Sequence, residues 1–224
     1  MTETRTKTSA PRVGAEHLGT DIVIFGAGGR AGRALVREAR SRGHRVTAVV
    51  RDPDQHADLA GPDFAGPHLP GGPGVRLLAG DVTDPRAVAA AATGHAVAIS
   101  AVYRPDIPAE SLYVGAARAL KDGLTRAGTG RLLVIGIATL AETAPGVRIL
   151  DAPDFPEPAR TFSLGHAAGL EALRSGTPGP DWVMVLPPME IDYAACARSV
   201  LDEIEHPAHH RSVLNLAAPA VGRS

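Results

Sequence analysis

The sequence predicts a doubly wound α/β fold, with a parallel sheet covered by helices on both faces. Three observations predict it. Short apolar runs alternate with helix-like stretches along nearly the whole chain, the pattern of repeated β–α units. Those runs are continuously apolar, as strands buried on both faces must be. A glycine-rich turn, "GAGGRAG" (26–32), joins the first apolar run to the first helix-like one.

The elements follow in order. Asp21–Phe25 is a first strand, and Arg30–Arg40 a first helix with Ala34, Leu35 and Ala39 on one face. "HRVTAVV" (44–50) and "VRLLAG" (75–80) are the second and third strands. Pro85–Ala92 is a helix, because proline suits the first helical position and Thr83-Asp84 supplies a start signal. "AVAISAV" (96–102) is the fourth strand, Ala109–Ala127 a long helix and "RLLVIG" (131–136) the fifth strand. A helix over 157–174, a sixth strand over 181–186, a helix over Ile191–Glu205 and a short strand over 212–217 complete the pattern. The expectation is one domain over 21–218, preceded by a polar, flexible tail over 1–20 and free of internal repeats.

Two stretches break the alternation. Residues 57–74 are rich in glycine and proline and predict an extended loop in place of a compact helix. Residues 141–159 follow the fifth strand and are expected to overhang the carboxyl ends of the strands, where open α/β sheets bind ligands.

Composition excludes several classes of function. A net charge of −1 gives no field that would draw nucleic acid or anionic lipid. No apolar run is long enough to cross a bilayer, and the first twenty residues lack the apolar core of a secretory signal. Cys196 is the only cysteine, so no intramolecular disulfide can form; this fits a reducing cytosol and a cytoplasmic protein. Its Ala-rich helical surroundings make it a buried structural thiol. Lysine occurs only at 7 and 121, which restricts any mechanism needing a catalytic lysine.

The glycine turn carries the first chemical reading. A helix N-terminus offers unpaired N–H groups and the positive end of its dipole, and glycines let a pyrophosphate approach the backbone. Read as G-x-G-x-x-G/A the residues are Gly26, Gly28 and Ala31; read as G-x-x-G-x-x-G they are Gly26, Gly29 and Gly32. Because the turn follows the first strand and opens the first helix, it predicts a dinucleotide site of Rossmann type. The end of the second strand selects the cofactor. There "VVRDP" places Arg51 twenty-five residues beyond Gly26, while Asp52 points the other way on an extended strand. Arginine accommodates a 2′-phosphate, so NADP(H) is expected in preference to NAD(H). Arg30 is a second candidate phosphate contact. Asp81 and Val82, in "GDVTDP", are placed to edge the adenine; the alternative for Asp81 is a loop aspartate capping the next helix, a service Asp84 already offers.

The glycine loop, "VRDP", "GDVTDP" and the late "VLPP" together resemble the atypical short-chain dehydrogenases that bind NAD(P)H. That group includes NmrA-like proteins, NADH-flavin reductases and biliverdin-IXβ reductases. The resemblance covers Asp21 to Ala217. It implies Gly26, Gly29, Gly32 and Arg51 on the phosphates, Asp81 and Val82 on the adenine, and Ser100, Ala101 and Val102 along the ribose and nicotinamide. Pro187 is expected on the cofactor side as well.

The usual Tyr-x-x-x-Lys pair is missing, since Tyr103, Tyr113 and Tyr193 are followed four residues later by Ile107, Ala117 and Ala197. In the relevant helix Phe162 and His166 take the two positions. The biliverdin/flavin reductase branch resembles this arrangement, with a hydroxyl after the fifth strand and a histidine on the next helix. Thr139 and His166 match those positions, and His166 is expected to donate or orient a proton near neutral pH. Relatives place a substantial segment after the paired prolines, and here only Met189 and Glu190 precede Ile191-Asp192-Tyr193. The C-terminal substrate region is thus shortened, leaving Tyr103, Pro188, Met189 and Glu190 as substrate-proximal candidates and Asp192 as a helix cap. His206, His209 and His210 lack a nearby cysteine ligand, and no metal site is expected.

The function these residues imply is NADPH-dependent reduction of a small planar substrate (a flavin, quinone or enone) by a monomer or homodimer. Two alternatives stay open: a non-redox cyclase, isomerase or dehydratase on the same fold, and an NADP(H)-sensing regulator without catalysis.

Overall fold

A computed structural model of the protein describes residues 19–64, 74–176 and 179–216. Residues 1–18 of the expected 1–20 tail, positions 65–73 of the 57–74 loop and residues 217 and 218 lie outside the described residues. The first half of the chain folds as β1 (Asp21–Phe25), α1 (Arg30–Ser41), β2 (Arg45–Val50), β3 (Arg76–Ala79), α2 (Pro85–Ala92), β4 (Val97–Ser100) and α3 (Ala109–Ala127). The second half adds β5 (Arg131–Ile135), β6 (Glu142–Ala144), β7 (Val147–Arg148), α4 (Glu157–Arg174), β8 (Asp181–Leu186), α5 (Tyr193–Glu205) and β9 (Ser212–Asn215).

Seven strands form one sheet in the order β3-β2-β1-β4-β5-β8-β9, and every pairing in it is parallel. This is a Rossmann-type, doubly wound domain. Alternate side chains of the central strands feed two apolar layers. Val23, Phe25 and Ala98 pack with Leu112, Leu120 and Leu124 of α3 and Leu170 and Leu173 of α4. Ile22, Ile24 and Ile99 pack with Leu35 and Val36 of α1 and Val200 and Leu201 of α5. A strand buried on both faces has no polar side to show, hence its unbroken apolar run.

Local chemistry sets the boundaries. Pro85 opens α2, and Asp84 accepts a hydrogen bond from the Arg86 N–H at 2.8 Å. The last long helix starts at Tyr193, two residues later than the sequence suggests, because Asp192 stands outside it as its cap. The Asp192 carboxylate accepts from the Ala194 and Ala195 N–H groups. The described part of the 57–74 loop is more compact than expected: 3₁₀ turns over Asp54–Ala60 and Pro62–Phe64 bury Leu59 and Phe64. The 141–159 stretch becomes the β6–β7 ribbon and a 3₁₀ turn before α4 begins.

Candidate dinucleotide site

Strand order reverses between β1 and β4, so the carboxyl ends of these strands open a crevice. A cleft of about 180 Å³ lies there. Its floor is Gly26, Gly28 and Gly29 of the glycine turn; Arg51 and His56 form one wall; Gly80, Asp81 and Val82 another; Ala101 to Arg104 the third.

The turn is shaped for close approach by a ligand. Gly26 sits at φ 77°, where an L side chain is strained. Gly32 holds α1 against the turn, since a Cβ there would lie 2.2 Å from the Gly26 carbonyl oxygen. That steric demand supports the G-x-x-G-x-x-G reading. Gly29 caps α1 without any side-chain hydrogen bond. Gly28 and Gly29 line the cleft immediately ahead of α1, so the positive end of the helix dipole lies beside it, which fits a pyrophosphate.

Acidic and basic groups are divided around the cleft. Arg51 lines it and is exposed, 3.9 Å from the Asp106 carboxylate. Asp52 turns away, accepting from the Asp54 N–H and the Gln55 amide to start the 3₁₀ turn. Arg104 binds Asp106, and this hydrogen bond, with help from the backbone and the charge of Arg51, pulls the Asp106 carboxyl down to about 2. Asp81 lines the cleft, but its Oδ1 already accepts from the Thr83 N–H and hydroxyl. Those bonds hold its pKa below the ordinary carboxylate value.

Other expected site residues fall elsewhere. Arg30, Ala31, Gly32, Ser100 and Pro187 do not line the cleft. Arg30 lies over the Tyr193 ring at 5.2 Å, and Pro187 is buried. Ser100 and His166 instead share a second, far smaller chamber of about 20 Å³ with Tyr113, Leu120 and Met184.

His166 is the sharpest departure. Its ring stacks on Tyr113, with centroids 3.6 Å apart, and meets Phe162 edge-on at 5.0 Å. Burial lowers its pKa to about 3. The imidazole is neutral at pH 7 in this packing and carries no acid proton there. Thr139 shares a hydrogen bond of 2.8 Å with the buried Ser163 hydroxyl, a partner the sequence did not suggest. Tyr103 stands at the cleft mouth, 63% exposed, with Phe162 edge-on at 6.0 Å.

The segment between β8 and α5 is as short as expected. Pro188 is half-buried, and Met189 and Glu190 are exposed; none of the three lines the cleft. No described residue of 141–159 lines it either. His209 and His210 are spoken for by Glu203 and Asp181, and among the described residues no group of three His, Cys, Asp or Glu side chains could hold a metal ion. Cys196 is buried, and its thiol is pushed up to about 11, chiefly by burial. Among the described residues no helix is long and apolar enough to cross a membrane.

Fold and cleft together define a Rossmann-type dinucleotide-binding domain. Residues 26–213 match the NAD(P)H-binding family, and the chain belongs to it. YwnB of Bacillus subtilis, a protein of uncharacterized function, is 29% identical over 230 residues, spanning 89% of this chain and 99% of its own. A solved Burkholderia pseudomallei protein, provisionally named as exported, is 28% identical and superposes with a TM-score of 0.72 over 89% of this chain and 100% of that one. A Streptococcus pneumoniae protein, provisionally named as an NADH-flavin reductase, has the same fold, with a TM-score of 0.71 at 23% identity over 90% of this chain and 100% of that one.

Proposed function

We propose that this protein is an NADPH-dependent reductase that delivers hydride to a small planar acceptor such as a flavin, quinone or enone. The observation that carries the cofactor preference is the division of the β2 end: Arg51 lines the cleft while Asp52 is consumed by its own turn. Arginine there suits a 2′-phosphate, and a ribose-binding carboxylate is turned away. Bound in this cleft, the reduced nicotinamide supplies the hydride. The glycine turn and the α1 N-terminus hold the pyrophosphate, Asp81 and Val82 edge the adenine, and Ala101 and Val102 run along the ribose. Tyr103, exposed at the mouth, offers a flat face on which a planar acceptor stacks. Neutral His166 fits an acceptor whose proton comes from water, because such a substrate asks for no protein acid. Thr139 is the hydroxyl proposed beside the substrate, and Met189, Glu190 and Pro188 border its outer side. The single buried cysteine suits the cytoplasm, where we place the protein.

The test is NADPH oxidation against panels of flavins, quinones and enones. Saturable NADPH binding without turnover on any panel would sink the reductase reading. It would favour a regulator that only senses NADP(H), a reading to which buried, neutral His166 lends support. The cofactor assignment has its own check in Arg51→Asp. Loss of a charge-assisted phosphate contact is expected to weaken NADPH about ten-fold or more and to spare NADH. Unchanged NADPH affinity would overturn the assignment.

A further inference from the structure

We infer that His56 is a second ligand for the 2′-phosphate of NADP(H), donating through Nε2, with Arg33 and Asp58 fixing its tautomer. This rests on the reading that the cleft holds NADP(H). No periodicity marks His56 in the sequence, five residues beyond Arg51. The fold brings its ring onto the glycine turn: a Cβ built at Gly28 would meet Nε2 at 2.5 Å. The imidazole therefore takes the place of the side chain that Gly28 lacks. It lines the same cleft as Arg51.

The tautomer follows from its neighbour. Nδ1 lies 3.3 Å from an Arg33 guanidinium nitrogen. Arginine can only donate, so Nδ1 is the acceptor, and in the neutral ring Nε2 must carry the proton. Arg33 cannot easily turn away. Its Nε donates to the Gly28 carbonyl oxygen at 2.9 Å, and its guanidinium pairs with both oxygens of Asp58. The result is a chain, Asp58–Arg33–His56, that aims an N–H group at the floor of the cleft. Arg33 and Asp58 act through His56 and are positioning residues. An N–H group beside an arginine and an uncapped helix N-terminus suits a phosphate oxygen and does nothing for a ribose hydroxyl that needs an acceptor.

Dissociation constants for NADPH and NADH, measured by fluorescence titration on wild type, His56→Phe and His56→Gln, test this. Phenylalanine keeps a flat ring over Gly28 without the donor, and glutamine returns an N–H group near the Nε2 position. His56→Phe is expected to weaken NADPH about ten-fold with NADH little changed, as loss of one hydrogen bond to a charged group predicts. His56→Gln is expected to recover most of that loss, a rescue that a purely structural role would not show. NADPH affinity unchanged in His56→Phe, or NADPH and NADH weakened alike, would overturn the proposal. Wild-type protein that binds neither dinucleotide would remove the cofactor reading itself. Wild type binding NADH and NADPH equally would leave that reading standing and overturn only the 2′-phosphate role.

Discussion

Stacked on Tyr113 and cut off from water, His166 has a pKa lowered by burial to about 3, against 6.5 for a solvated imidazole. Between those two values the unfolded chain binds the extra proton and the folded one does not. The stability associated with neutral His166 is therefore fully present above about pH 6.5 and is lost as pH falls towards 3. The steepest slope is about 1.4 kcal/mol per pH unit. Urea midpoints should fall steadily from pH 6.5 to 4.5 in the wild type, and His166→Phe, which keeps an aromatic ring against Tyr113, should flatten the curve there. Parallel curves for the two proteins would count against the burial argument. At lower pH the carboxyls of Asp181 and Glu203 contribute in the same direction, since both are held below their ordinary values. In Glu203 burial alone would raise the value, and the His209 ring with the His209 and Ala208 N–H groups more than offset it. The chemistry suggested by the position of His166 in the chain thus depends on a neighbour, Tyr113, more than fifty residues earlier.

Within the β1–α1 turn, the four glycines are not equivalent, and a pair of substitutions separates them. A methyl group at Gly32 would collide with the Gly26 oxygen and the Ala27 Cα at 2.2 and 2.6 Å, both of them backbone atoms. Gly32→Ala must push α1 off the turn, with an expected cost of about 1–3 kcal/mol and weakened NADPH binding. At Gly29 the nearest atom to a new methyl is 3.6 Å away, an ordinary contact. Gly29→Ala should therefore change Tm little and lower affinity only through the contact proposed between this turn and the pyrophosphate. Equal Tm losses in both variants would contradict this division. Much at this scale was legible in the sequence: the strand and helix order follows from apolar runs and start signals such as Asp84-Pro85, and the glycine turn and Arg51 do meet at one cleft. The β6–β7 ribbon was not legible, because it depends on a Gly146 turn at φ 74° and on the Glu142 carboxylate accepting from the Gly146 N–H. His56 was missed for a related reason. A 3₁₀ turn carries no strong periodicity, and only the fold sets it against Gly28.

Across the whole molecule, the two rims of the sheet have different tasks. The carboxyl rim holds the cleft, with Arg51 exposed and only loosely paired with Asp106, which Arg104 binds directly. At the amino rim several pairs are more deeply buried. Arg45 grips Asp21 where β1 and β2 begin; Arg42 reaches Glu38, Asp202 and Glu205; and the buried His44 joins Glu205 at 3.0 Å. Arg131 at the start of β5 binds Asp181 at the start of β8 and Glu203 near the end of α5. Glu203, whose side chain is 5% exposed, also accepts from the His209 and Ala208 N–H groups and so fixes the approach to β9. Removing one member of such a buried set strands the others, and Arg131, 11% exposed, already has its Nε without a partner. Glu203→Ala should therefore cost on the order of 3 kcal/mol. For a domain of this size that is a Tm lower by about 6–12 °C. Because the network lies at the far rim, the NADPH dissociation constant of the folded fraction should stay at the wild-type value. Arg51→Asp should do the reverse, lowering affinity and leaving Tm in place. Measured side by side by thermal unfolding and fluorescence titration, the two variants test whether stability and binding occupy opposite ends of the strands. A parallel loss of both properties in Glu203→Ala would show that the rims are coupled through the sheet.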